Sequence, residues 1–126
     1  MTTDTLTQKK TLVLGASMKP SRYSYIAINR LRNNDVPVVA IGLREGTIAD
    51  VDILTGQPAL DDIHTVTLYM NPQRQAEWID YIIGLAPERI IYNPGTENPD
   101  LMRRAREAGI QNEVACTLVM LASSVY

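Results

Sequence analysis

Short apolar runs alternate along the chain with stretches in which apolar residues return at helical spacing. Residues 11–14, Thr-Leu-Val-Leu, form a β-branched and apolar run that stops at Gly15, as expected of a strand buried on both faces. After a loop over residues 16–24, Ala27, Ile28 and Leu31 share one helical face while Arg30, Arg32 and Asn33 take the other. Asn33, Asn34 and Asp35 end that helix, and residues 37–41 make a second apolar run that closes at Gly42. The opening is therefore a β-α-β unit, whose crossover should be right-handed.

Residues 43–62 are the least regular part, with turn signals at Glu45-Gly46 and Thr55-Gly56-Gln57-Pro58 around a short strand near residues 52–54. A clear strand follows over residues 65–70. Asn71-Pro72 then sets a helix cap and first turn, Ala76, Ile79, Ile82 and Ile83 mark an inward face, and Gly84 closes the helix. The same order repeats, with a strand at 89–92, a second cap at Asn98-Pro99, an inward face of Leu101, Met102 and Ala105, and a stop at Gly109. A last short strand at 111–115 and a helical turn or two at 117–122 complete the pattern. Such alternation predicts an α/β fold of Rossmann type, a doubly wound, mainly parallel sheet of five or six strands with helices on both faces. Residues 1–9 read as a flexible N-terminal segment and residues 10–126 as a single domain, since 126 residues leave little room for a second core.

Composition narrows the function. A formal charge of -2 offers no broad positive field for nucleic acid or an anionic membrane, so any anion must be gripped locally. Cys116 and His64 each occur once, which excludes an internal disulfide and leaves no His/Cys zinc set; no metal site is expected. The first ten residues lack the apolar core of a signal peptide and no later run is long enough to span a bilayer, so a cytoplasmic protein is expected.

The chemistry concentrates in the loop Gly15-Ala16-Ser17-Met18-Lys19-Pro20-Ser21-Arg22-Tyr23-Ser24, which joins the first strand to the first helix. There, backbone N–H groups and the helix dipole favour an anion. Gly15 allows a tight turn, Ala16 keeps the floor low, Ser17 offers a hydroxyl, and Lys19 and Arg22 bring positive charge to suit a pyrophosphate. Ser21 or Ser24 could instead cap the helix. The second and third glycines of G-x-G-x-x-G are absent, and the first ionisable group after the second strand is Arg44 rather than an acid. Arg44 suits a phosphate on a ribose, which coenzyme A carries at its 3′ position and NADP at its 2′ position. Glu45 beside it could still reach a hydroxyl.

These residues resemble the coenzyme A-binding domain family, small stand-alone Rossmann proteins similar to the nucleotide-binding domain of succinyl-CoA ligase alpha subunits. The resemblance spans Lys10 to Leu121 and is carried by Gly15, Ala16, Ser17, Pro20, Arg22 and Ser24, with support from the Asn93-Pro94-Gly95 turn and from Cys116-Thr117. It implies that the ADP part of coenzyme A lies across the first turn and that pantetheine runs past Tyr69, Met70 and Asn71. Where the family usually has Val-Asn-Pro after the second strand, this chain has Ile41-Gly42-Leu43, which alters the adenosine contacts around Gly42.

No catalytic set emerges. The ligase's phosphorylated histidine lies in a later domain without counterpart in this sequence, and His64 precedes a strand at what should be the opposite edge of the sheet, where a loop or capping role is expected. The apolar neighbours Val114, Ala115, Leu118 and Val119 predict a buried packing role for Cys116 over thiol exchange with coenzyme A. Glu97 suits either a helix-capping turn or a ligand contact, Asp61 and Asp62 read as solvated, and Trp78 reads as a packing residue. The leading expectation is a non-catalytic coenzyme A or acyl-CoA binding protein. An NADP-dependent reductase and a ligand-free interaction subunit are the alternatives, and a homodimer is left open.

Overall fold

Alternation of period two along the first strand divides the core. Leu12 and Leu14 face one side of the sheet and Val13 the other, all fully buried. The computed structural model describes residues 5–126; residues 1–4, part of the segment expected to be flexible, lie outside the described residues. From Thr5 the chain makes a 3-10 turn, Leu6–Gln8, and enters β1 (Thr11–Ala16). The elements that follow are α1 (Tyr23–Asn33), β2 (Val38–Gly42), β3 (Gly46–Ile48), β4 (Val51–Leu54) and β5 (Thr65–Leu68). Then come α2 (Pro72–Gln75), a 3-10 turn (Ala76–Trp78), α3 (Ile79–Leu85), β6 (Arg89–Tyr92), α4 (Pro99–Glu107), β7 (Gln111–Val114) and α5 (Thr117–Ala122).

The strands form one sheet in the order β3-β4-β2-β1-β5-β6-β7, parallel except for the antiparallel pair β3 and β4. This is the expected α/β Rossmann-type sheet, with seven strands rather than five or six. The extra one is β3, whose three residues are too few to show a period. Running back along the edge, β3 lets β4 return parallel to β2 without a crossover helix. On one face α1 and α5 cover Val13, Ala40, Ile53 and Ile91 through Ile28, Leu31 and Met120. Across the sheet, α3 and α4 cover Leu14, Val66, Leu68 and Ile90 through Ile82, Leu101 and Ala105.

Three local differences bear on the site. Gly15 does not end β1 but sits in a bulge where the pairing with β2 shifts, at φ +101°, and a Cβ there would lie 2.9 Å from the Tyr69 carbonyl carbon. The helix expected to close at Gly84 is instead broken by the 3-10 turn at Ala76–Trp78 and ends at Ala86, in left-handed backbone with φ 50°. Ala86 precedes Pro87, which disfavours a helical residue before it. Finally, α1 begins at an extended Arg22 with no side-chain cap, so neither Ser21 nor Ser24 caps it.

Candidate functional site

The switch between left-going and right-going connections falls between β1 and β5, where an open α/β sheet presents a crevice at the carboxyl ends of its strands. A cavity of about 840 Å³ occupies that crevice. It is lined by Gly15 near the end of β1, by Ser17, Lys19 and Arg22 of the β1–α1 loop, and by Tyr23 and Ser24 in the first turn of α1. The loop is shaped by its own backbone: Ser17 Oγ accepts from the Lys19 N–H at 3.2 Å, and the Arg22 N–H donates to the Lys19 carbonyl at 3.0 Å. The first turn of α1 holds no acidic residue and no side-chain cap, which leaves its N–H groups and dipole directed at an anion.

Four cations line the cavity, Lys19, Arg22, Arg44 and Arg74, against one carboxylate, Glu45. Among the described residues none of the four has an ion pair, whereas Arg32, Arg103 and Arg104 each have a carboxylate within 3.5 Å. The Arg32 guanidinium, bonded to Asp50, holds that carboxyl below its ordinary range. Positive charge left without an internal partner and facing a cavity is what a polyphosphate ligand needs.

Behind the cavity lining at Asn93, Pro94 and Thr96 lies a buried amide network. Asn93, at the end of β6, donates through Nδ2 to Thr67 Oγ1 at 2.7 Å and to the Leu68 carbonyl at 2.9 Å, and its Oδ1 accepts from the Thr117 N–H at 2.9 Å. Gln75 donates to the carbonyls of Met70 and Thr96, both at 2.8 Å, and accepts from Asn98 at 3.0 Å. Asn98 also caps α4 by accepting from the N–H groups of Asp100 and Leu101. The network fixes the ends of β5 and β6, the β6–α4 loop and the start of α5 relative to one another. Burial pushes the Tyr69 phenol up to about 12, its hydroxyl lying against Thr67 and Thr117, so it stays protonated at neutral pH.

Several residues singled out from the sequence meet here. Gly15, Ala16, Ser17, Lys19, Arg22, Tyr23 and Ser24 line the cavity with Arg44, Tyr69, Asn93 and Pro94. Gly42 and Met70 instead line an adjoining recess of about 240 Å³, shared with Ile41, Glu77 and Trp78 and reached past Gly15, Leu43 and Arg74. Pro20, Asn71 and Gly95 border neither space. Asn71 caps α2 by accepting from the Arg74 N–H at 2.9 Å, and the Gly95 N–H donates to Glu97 Oε1 at 2.7 Å, which places Glu97 within its own turn. Gly42 is required by packing: a Cβ on it would lie 2.3 Å from the Ala16 carbonyl oxygen.

Two expectations change. Cys116 is half-buried and lines the cavity with Leu118, rather than packing inside the core, and its neighbours Val114 and Val119 are exposed. The reason is that β7 is an edge strand, with core on one side only. His64 lies not at an edge but at the amino end of β5, beside the centre of the sheet and at the other end from the crevice. Its Nδ1 is 2.7 Å from Thr65 Oγ1 and its Nε2 is 3.1 Å from Glu88. Trp78 does pack, edge to face on Tyr81 with centroids 5.6 Å apart, while also lining the recess.

Sequence reasoning missed Arg74, Thr96 and Leu118. Arg74 had a readable signal, since it stands three residues after the Asn71 cap of a helix that starts at the crevice. Among the described residues no group of three or more His, Cys, Asp or Glu side chains could hold a metal, and no helix is long and apolar enough to cross a membrane.

Comparison with protein families gives a match to the CoA binding domain over residues 9–122. The chain belongs to this family. A crystal structure of an uncharacterised protein is similar over 94% of this chain and 98% of its own, with 41% identity and a TM-score of 0.91. Cell-free ID.343 from Thermus thermophilus shares the fold at 17% identity and a TM-score of 0.82, covering 94% of this chain and 90% of its own. The dinucleotide forming acetyl-coenzyme A synthetase 1 of Ca. Korarchaeum cryptofilum, in complex with phosphate and ADP, contains the fold in 26% of its length. That match covers 86% of this chain at 16% identity and a TM-score of 0.69. No curated protein matches the chain. Membership in the family assigns the chain a CoA-binding domain.

Proposed function

We propose that the protein binds coenzyme A or an acyl-CoA as a carrier or sensor, without chemistry of its own. The observation that carries this reading is the set of four cations that, among the described residues, have no ion pair, around the cavity at the uncapped start of α1. In this reading the pyrophosphate lies on the Gly15–Ser17 turn and the first N–H groups of α1, with Lys19 and Arg22 on its oxygens. Arg44 takes the 3′-phosphate. The adenine enters the recess between Gly42, Met70 and Trp78, and pantetheine runs along Tyr69, Pro94 and Leu118 toward Cys116. The lone lining carboxylate and the high Tyr69 pKa support binding rather than proton transfer.

An NADP-dependent reductase would use the same loop and place Arg44 on the 2′-phosphate. Calorimetric titration of the protein with coenzyme A, 3′-dephospho-coenzyme A and NADP separates the readings. Coenzyme A should bind tightest, the dephospho compound more weakly and NADP least. Preference for NADP would transfer the site to the reductase reading, and silence with all three would leave an interaction subunit.

A further inference from the structure

The segment after β7 ties the crevice to the opposite end of the sheet. At the crevice end, Cys116 and Leu118 line the cavity, and Thr117 is held by Asn93 Oδ1 and by the Thr67 hydroxyl at 2.8 Å. Thr117 and Leu118 open α5, which has only six residues, of which Thr117 and Met120 are buried. A helix of that length has little stability of its own, so its place depends on what holds its two ends.

The far anchor is Tyr126. The chain turns back through Ser124 at φ 58°, with the Val125 N–H on the Met120 carbonyl at 2.9 Å, a left-handed close normally made by glycine. That turn returns the Tyr126 ring to the amino end of the strands, where only 5% of the residue is exposed. There its hydroxyl bonds the hydroxyl of Thr11, its ring stacks 4.4 Å from the Arg89 guanidinium, and its carbonyl accepts from Lys9 Nζ. Thr11 opens β1 and Arg89 opens β6, so the segment runs the length of the sheet, about 10 Å for four strand residues.

Docking also carries costs. Ser124 is held in a conformation that disfavours a side chain, and Arg89 Nη2 is buried with no hydrogen-bond partner among the described residues. Release of the ring would let water reach that nitrogen and let Ser124 relax. These costs offset part of what docking gains.

We propose that Tyr126 is a positioning residue for the crevice: its docked ring holds α5 so that Cys116 and Leu118 form the cavity wall, and ligand occupancy and docking of this segment reinforce each other. The ligand's identity rests on the coenzyme A reading; the mechanical link does not. Reciprocity requires that if docking tightens the ligand, the ligand tightens docking.

The test has two arms that separate those claims. Cys116 is the sole cysteine, so its reaction rate with an aromatic disulfide reagent, measured without ligand on protein shown to be folded by circular dichroism, reports the wall directly. Tyr126→Ala should speed that reaction and weaken coenzyme A binding, each about tenfold, while Tyr126→Phe, which keeps the ring, should restore both to within about threefold. In the unaltered protein, saturating coenzyme A should slow hydrogen–deuterium exchange at residues 123–125, remote from the crevice. An unchanged thiol rate in Tyr126→Ala overturns the link. Should that variant fail to fold, unchanged exchange at 123–125 in protein saturated with coenzyme A overturns it instead. If the unaltered protein binds no coenzyme A, the ligand reading falls while the thiol rates still decide the link.

Discussion

On one side of the crevice Lys19, Arg22 and Arg44 are exposed and have no ion pair among the described residues, whereas on the other Gln75, Asn93, Thr96 and Asn98 are buried and bonded to one another. The first side holds side chains that, in the proposed reading, take their partners from a ligand. The second side has its hydrogen bonds already made; Asn93 and Thr96 line the cavity, and Gln75 and Asn98 support them from behind. A change on the first should therefore alter affinity with little effect on stability, and a change on the second should do the reverse first and disturb binding only as a consequence.

The largest effect is expected at Asn93. Asn93→Ala leaves Thr67 Oγ1, the Leu68 carbonyl and the Thr117 N–H each short of a buried partner, and should lower the free energy of unfolding by about 3 kcal/mol, read by urea denaturation. A loss near zero would mean that the wall is not held as described. Next comes Gly15→Ala. The new Cβ meets the Tyr69 backbone at 2.9 Å in a backbone conformation that L-residues avoid, so a loss of about 2 kcal/mol is expected, with the cavity lining displaced. Unaltered stability and binding would show that this bulge has room to relax.

Arg44→Ala sharpens the contrast by affecting the ligand alone. Its affinity for coenzyme A should fall about tenfold while that for 3′-dephospho-coenzyme A stays within about twofold, with unfolding unchanged. Equal losses for both compounds would move Arg44 away from the ribose phosphate. The smallest effect belongs to Asp50, exposed and bonded to Arg32 at 2.8 Å. Its carboxyl is held down by that guanidinium, so its contribution is present above the ordinary carboxylate range and is lost as pH falls through the lowered folded value. Asp50→Asn should slightly flatten the acid side of a plot of melting temperature against pH and leave coenzyme A binding as it was. A steeper acid limb would reverse the sign of this account.

The same contrast explains what could be read from the residues alone. The alternation of short apolar runs with helical faces identifies the parallel strands, because burial on both faces leaves a strong pattern at Thr11–Leu14 and Arg89–Tyr92. Gly46–Ile48 is too short to leave one, and the break at Ala76–Trp78 leaves no proline or glycine to mark it. In the crevice, the loop residues were legible because strand, small residues, cations and helix follow one another directly. The amide network was not, because its members lie far apart in sequence: Gln75 and Thr96 meet across 21 positions, Asn93 and Thr67 across 26. Asn93 could be assigned to the crevice, but the engagement of both its amide hydrogens inside the protein shows only in three dimensions. Cys116 fails for a related reason, since apolar neighbours in sequence do not reveal that the strand before it lies at an edge.

The central claim is that a coenzyme A pyrophosphate rests on the β1–α1 loop, and the measurement that reaches it most directly is calorimetric titration of coenzyme A into the unaltered protein and into Arg22→Ala, side by side. The account predicts saturable one-to-one binding that weakens at least about tenfold in the variant, with the melting temperature of the free protein unchanged. Equal affinity in both proteins, or no binding to the unaltered one, would contradict it.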